Sequence, residues 1–174
     1  MQRYLKTEAI VLKKKQILNK DMMIVFFTRE EGKVFAVAKG VRNIVSKRLP
    51  SLMTGNLVYL HLSMYKDRYY LHEASIISLF SRIKKHAHLQ KYLYLYLYLL
   101  DQMLSERQRE LTIYNQLKKF LVELSKDDFS EKKMTGYCRV LLDYFGYGNK
   151  PETMPDIIRK IEEIIGKKIP PFII

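Results

Sequence analysis

The chain changes hydrophobic period once, near residue 80, and that change sets its architecture. Up to about Ile77, short runs rich in Val, Ile, Phe, Tyr and Leu are punctuated by turn residues, the pattern of an all-β barrel or sandwich. Five strands are predicted, roughly Thr7–Lys14, Met22–Arg29, Lys33–Lys39, Asn56–Lys66 and Tyr69–Ile76. Glu30-Glu31-Gly32 and Lys66-Asp67-Arg68 read as tight connections, the first being the stronger hairpin signal because of its glycine. In the fourth strand Leu60, Leu62 and Met64 alternate with Tyr59, His61, Ser63 and Tyr65, so one face is apolar and the other polar-aromatic. Five such strands fit a small barrel of the oligonucleotide-binding (OB) type, and an SH3-like barrel fits nearly as well.

From Ser81 onward the pattern is helical. The segment Tyr92-Leu-Tyr-Leu-Tyr-Leu-Tyr98 alternates like a strand, but every member is hydrophobic, so alternation carries no face information and the segment reads as a helix buried all round. With no Gly or Pro from Ser81 through Glu106, one long central helix is expected there. Leu111, Tyr114, Leu117, Leu121 and Leu124 repeat at helical spacing; Ser130 caps a third helix ending near Gly146; Pro155–Ile165 forms a fourth, closed by Gly166. The expected fold class is α+β, with an OB-type barrel over residues 1–79 and a helical bundle over 80–174.

Several classes of chemistry are disfavoured. No run of about 18 apolar residues would span a bilayer, and MQRYLKTEAIV lacks the apolar core of a secretory signal, so no membrane association and a cytoplasmic location are expected. The one cysteine, Cys138, excludes an intramolecular disulfide and a cysteine-rich zinc site, and its apolar helical setting predicts a buried thiol. Lys39-Gly40 lacks the upstream glycine of a phosphate loop. His61, His72, His86 and His88 show no familiar metal spacing, and the acidic residues are scattered over polar helix faces. No catalytic residue, metal or cofactor is expected, and the chain does not read as an enzyme.

Charge says more. Lys and Arg total 31 against 18 Asp and Glu, a net +13, which favours a polyanionic partner. No acidic residue occurs between Glu31 and Asp67, and within that window Lys39, Arg42, Lys47 and Arg48 crowd a predicted loop. Asn43 and Ser46 add uncharged donors that reach phosphate oxygens. The alternative is a solvated basic loop kept for solubility. Tyr59, Tyr65, Tyr69 and Tyr70 are candidate stacking platforms for unpaired bases, though tyrosine also fills barrels. In the second half, Lys118, Lys119, Lys167 and Lys168 stand beside apolar groups and are candidate contacts for an acidic-hydrophobic peptide, unless the tail packs into its own bundle.

Glu8-Ala-Ile-Val-Leu12, Phe27-Thr-Arg-Glu-Glu-Gly-Lys33, Ala38-Lys-Gly-Val-Arg42 with Ser46-Lys47, and Leu71-His-Glu-Ala74 resemble, in order and spacing, the successive strands of the RecO family of bacterial recombination mediators. The closing Gly166-Lys-Lys-Ile-Pro-Pro-Phe-Ile-Ile is similar to that family's C-terminal segment. The resemblance implies an N-terminal OB fold and a helical domain in a DNA repair and recombination protein. Such a protein binds single- and double-stranded DNA, anneals complementary strands, contacts RecR and the tail of the single-strand-binding protein SSB, and thereby helps RecA load. By position Lys39, Arg42, Ser46 and Lys47 match the family's basic loop; Arg48 and Asn43 join them by chemistry, and Lys33 as the end of the second motif. The family's glycine-glutamate pair after the first strand is replaced by Leu18-Asn-Lys-Asp21, and the four-cysteine zinc module of many relatives is absent. A protein-docking adapter with weak DNA binding and an RNA-binding OB module remain the competing readings.

Overall fold

The computed structural model describes residues 3–41, 49–148 and 151–173. It is mixed α+β, with an N-terminal five-stranded sheet followed by helices. The strands are β1 (Arg3–Gln16), β2 (Met22–Thr28), β3 (Gly32–Ala38), β4 (Leu57–Tyr65) and β5 (Arg68–Ser78), with a 3-10 turn at Leu49–Leu52 before β4. Their ladders close in the order β1-β2-β3-β5-β4, β4 returning to β1, to give a closed barrel. All pairings are antiparallel except β3 with β5, which run parallel over only Ala36↔Tyr69 and Val37↔Tyr70. Ala9, Val11, Met22, Ile24, Phe26, Val34, Ala36, Leu60, Leu62, Tyr69 and Leu71 fill the interior. Their alternation along each strand fixes which side chains face out.

The connections have the chemistry their geometry requires. Lys66 and Asp67 both take positive φ (45° and 59°), so the β4–β5 hairpin turns on two left-handed residues. Between β2 and β3 the loop closes on Gly32 at φ 69°, with the Thr28 hydroxyl donating to the Gly32 carbonyl at 2.9 Å and accepting from the Glu31 N–H at 3.1 Å. Bulges interrupt β1 between Val11 and Lys13 and β5 opposite His61/Leu62. The first of these leaves Lys13 and Lys15 facing out and turns Lys14 toward the barrel mouth, where it reaches the Met53 sulfur at 3.1 Å.

The helices are α1 (Ser81–Lys85), α2 (Ala87–Met103), α3 (Leu111–Leu124), α4 (Glu131–Tyr144) and α5 (Met154–Ile165). The long helix expected from Ser81 is broken at His86: its ring nitrogen bonds the Arg82 carbonyl at 2.9 Å, its own carbonyl accepts from Leu89 and Gln90, and the Gln90 amide donates to the Lys84 carbonyl at 2.6 Å. Side-chain partners satisfy the end of α1, so no continuous helix is needed. The Tyr-Leu run is helical but not buried all round. Leu93, Leu95, Tyr96, Leu97 and Leu99 are buried, whereas Tyr94 is exposed and keeps its hydroxyl in water. Ser130 and Thr153 cap α4 and α5, and Gly166 ends α5 in the left-handed region. Cys138 is buried, which pushes its thiol up to about 12. Among the described residues no helix is long and apolar enough to cross a membrane.

Two compact units divide the chain: Met1–Phe80 with Leu104–Asn115, and Ser81–Met103 with Gln116–Ile174. The sequence reading gives everything beyond residue 79 to the helical part, but Leu104–Asn115 belongs with the strands. The brevity of the β3–β5 ladder explains this. The first residues of β3 lack a strand partner on that side, and the Arg107 N–H donates to the Lys33 carbonyl at 2.8 Å to fill the edge. Tyr114 packs edge-on against Phe27 (5.5 Å between ring centroids) and donates its hydroxyl to Glu8 at 2.9 Å; burial and that carboxylate raise its pKa. The Arg107 guanidinium reaches Asp67 at 3.5 Å and lies over the Tyr69 ring. In the helical unit, Tyr96 stacks on Phe120 at 4.2 Å, with Tyr137 and Phe129 edge-on to Phe120.

Candidate nucleic-acid interface

The register of β2, β3 and β5 builds one outward surface. Inward residues of β3 are Val34, Ala36 and Ala38, so Lys33, Phe35, Val37 and Lys39 face out. The ladders then set Lys15 beside Met23, Met23 beside Val37, and Val37 beside Tyr70; one row lower, Lys13 stands beside Val25 and Val25 beside Phe35. The centre of this face is apolar and aromatic, with Phe35 at 37% exposure and Met23, Val37 and Tyr70 half-buried. Its margins are cationic: Lys13 and Lys15 on β1, Lys20 in the β1–β2 turn, Lys39 at the end of β3, and Lys66 and Arg68 at the β4–β5 turn, all exposed. Lys39 places its ammonium 5.1 Å from the Tyr70 ring centroid, and Lys66 lies 5.5 Å from that of Tyr65.

The two acids at the margins are both engaged. Asp21 accepts the Gly40 N–H at 2.7 Å, which ties the β1–β2 turn to the exit of β3 and holds Gly40 at φ 60°. Asp67 is held by Arg107. The field over the face is therefore positive, and flat rings with cations at their edges suit a chain of unpaired bases joined by phosphates.

The residues singled out in the sequence fare differently. Lys39 and Tyr70 lie on this face, Tyr65 borders it at the hairpin, and Tyr69 is buried in the barrel interior and offers no platform. Lys33 is corrected: it is only 8% exposed, covered where Glu106 and Arg107 bridge its backbone, and is not open to a phosphate. Tyr59 is 48% exposed but sits six residues along β4 from Tyr65, about 20 Å away at strand rise, in the row Glu8↔Tyr59↔Ser75. Arg42, Asn43, Ser46, Lys47 and Arg48 lie outside the described residues. In the helical unit Lys119 is 3.9 Å from Glu123, and Lys168 bonds Glu162 at 2.7 Å. Lys118 is half-buried and Lys167 exposed. Glu162 also accepts the Ile169 N–H, and Lys168 and that N–H together hold its carboxyl below the usual range; Ile169 and Ile173 are buried, so the tail packs onto its own unit while Phe172 stays exposed. Phe35, Met23, Lys13, Lys15 and Lys20 were missed by sequence reasoning. The alternation within KVFAVAK held the signal for Phe35, but both faces of that run are apolar, so only the register shows which is open. Among the described residues no group of three or more His, Cys, Asp or Glu could hold a metal.

Residues 1–80 match the family model described as Recombination protein O N terminal. The chain is 35% identical over 112 residues to the DNA repair protein RecO of Caldanaerobacter subterraneus subsp. tengcongensis, covering 64% of this chain and 45% of that protein. It is 26% identical over 145 residues to the protein of the same name from Alkaliphilus metalliredigens, covering 82% and 58%, and 27% identical over 147 residues to that of Acetivibrio thermocellus, covering 83% and 58%. The chain thus spans about half the length of the curated relatives it matches.

Proposed function

The chain belongs to the RecO family through its N-terminal residues, and from that premise we propose that it acts in DNA repair and recombination by binding single-stranded DNA on the outer face of β2, β3 and β5. The observation that carries the reading is the apolar-aromatic strip of Met23, Phe35, Val37 and Tyr70 framed by Lys13, Lys15, Lys39 and Lys66. The strand order β1-β2-β3-β5-β4 is that of an OB barrel, a fold whose β2–β3 surface takes oligonucleotides. Arg42, Lys47 and Arg48 follow Lys39 in the sequence and add three cations to the segment after β3.

Neutralised backbones let two strands approach, and rings that stack bases keep each strand unpaired until its complement arrives, so the product is an annealed duplex. No covalent step is required, and the work is done in the cytoplasm, where the DNA is. RecR and SSB are the protein partners of this reading, with RecA loaded as the result. On the helical unit, Lys118, Lys119 and Lys167 are cationic and Phe172 is an exposed apolar group, the chemistry an acidic tail such as that of SSB would use. In a mixture of complementary fluorescent oligonucleotides at moderate salt, the protein should raise the initial annealing rate at least tenfold over the protein-free rate. An unchanged rate at concentrations that saturate single strands would leave a binding protein without annealing activity.

A further inference from the structure

A second group of rings lies on the barrel away from this face. On the outer side of β1, β4 and β5, Tyr4, His61 and His72 form a triangle with centroid separations of 5.7 Å (Tyr4–His61), 5.4 Å (His61–His72) and 6.3 Å (Tyr4–His72). The β5 bulge creates it: Leu62 pairs with Leu71 and His61 with Glu73, so His72 is the extra residue, turned out beside its neighbour across the ladder. His72 is held in place by a 2.7 Å bond to Ser63, whose side chain is buried. The rings tilt at 42° to 45° to one another, so none lies flat against another, and Tyr4 is 57% exposed.

The triangle continues the row already described. Val37 lies beside Tyr70, Tyr70 beside Ser63, and Ser63 beside Tyr4. Lys6 stands opposite His61 on β1 and is exposed, whereas Glu73 faces it from β5, so phosphates passing here run along the β1 margin. We propose that the single-strand track does not end at β3 but crosses Tyr70 onto a second stacking platform made by Tyr4, His61 and His72. This rests on the reading of the β2–β3–β5 face as a DNA surface and states how far that surface extends. From β3 to β1 is three strand spacings, about 14 Å, or roughly four nucleotides of a stacked strand.

The chain contains no tryptophan, so Tyr4→Trp installs a single reporter at an exposed position. A saturating oligothymidylate of about 15 nucleotides should quench its emission, and one of about 5, short enough to be held by the first face alone, should not. In the otherwise unchanged chain, His61→Leu should shorten by two to four nucleotides the length at which affinity levels off, leaving affinity for the short oligomer unaltered. Tryptophan emission unchanged by a 15-mer that labelled-oligonucleotide anisotropy shows to be bound would overturn the second platform and leave the first face intact. Equal quenching by both lengths would overturn it too. Failure of every oligomer to bind would remove the DNA reading itself.

Discussion

Gly32→Ala should destabilise the protein by about 3–4 kcal/mol, seen as a fall of roughly 10 °C in the melting temperature of the whole chain. Two separate faults add. Gly32 sits at φ 69°, where an L side chain costs about 1–2 kcal/mol, and an added Cβ would fall 1.8 Å from the Gln108 carbonyl oxygen, a backbone atom that cannot swing aside. Relief requires moving the 104–115 segment off the β2–β3 turn, with loss of the Arg107–Lys33 backbone bond. Gly136→Ala, in the middle of α4 with nothing within 4 Å of the new atom, is the matched control and should stabilise by about 0.5–1 kcal/mol. Denaturant unfolding of both variants checks the pair. A Gly32→Ala cost below about 1 kcal/mol would mean that the segment does not seat on the turn.

Alanine at both Phe35 and Tyr70 should lower affinity for single-stranded DNA about 100- to 1,000-fold with little change in stability, because each ring offers a stacking surface worth about 1–3 kcal/mol per base. Phe35 is partly open to solvent and Tyr70 half-buried beneath Lys39, so neither belongs to the barrel interior. Anisotropy titration of a labelled oligothymidylate measures the effect, with unfolding curves to check the fold. A folded double variant within threefold of the parent affinity would contradict the assignment of this face.

How far the sequence carried depended on whether a signal was local. The five strands were legible because their turns are local: Gly32 and the Lys66-Asp67 pair mark hairpins by backbone preference alone. The cap at Ser130 and the stop at Gly166 are equally local, and α4 and α5 fall where periodicity sets them. Features that failed to show are set by partners far along the chain. Lys33 looks like any exposed hairpin cation until Glu106 and Arg107, more than seventy residues on, cover it. The break at His86 comes from side chains taking over carbonyls at the end of α1, which no breaker residue announces. For the candidate face, Lys39 was visible as charge and Tyr70 as one of four candidate rings, whereas singling out Tyr70 and placing Phe35 near it needed the parallel β3–β5 pairing, a contact over two residue pairs that leaves no trace in either strand's pattern.

On the proposed reading the lysines framing this strip neutralise phosphates while its rings hold bases, and the salt dependence of single-strand binding is the measurement that decides it. With about four phosphates neutralised, log affinity should fall against log salt with a slope near −3, and alanine at Lys13, Lys15 and Lys39 together should make the slope shallower by about 2. A slope that stays near −3 in that folded variant would place the phosphates elsewhere on the molecule and contradict the claim.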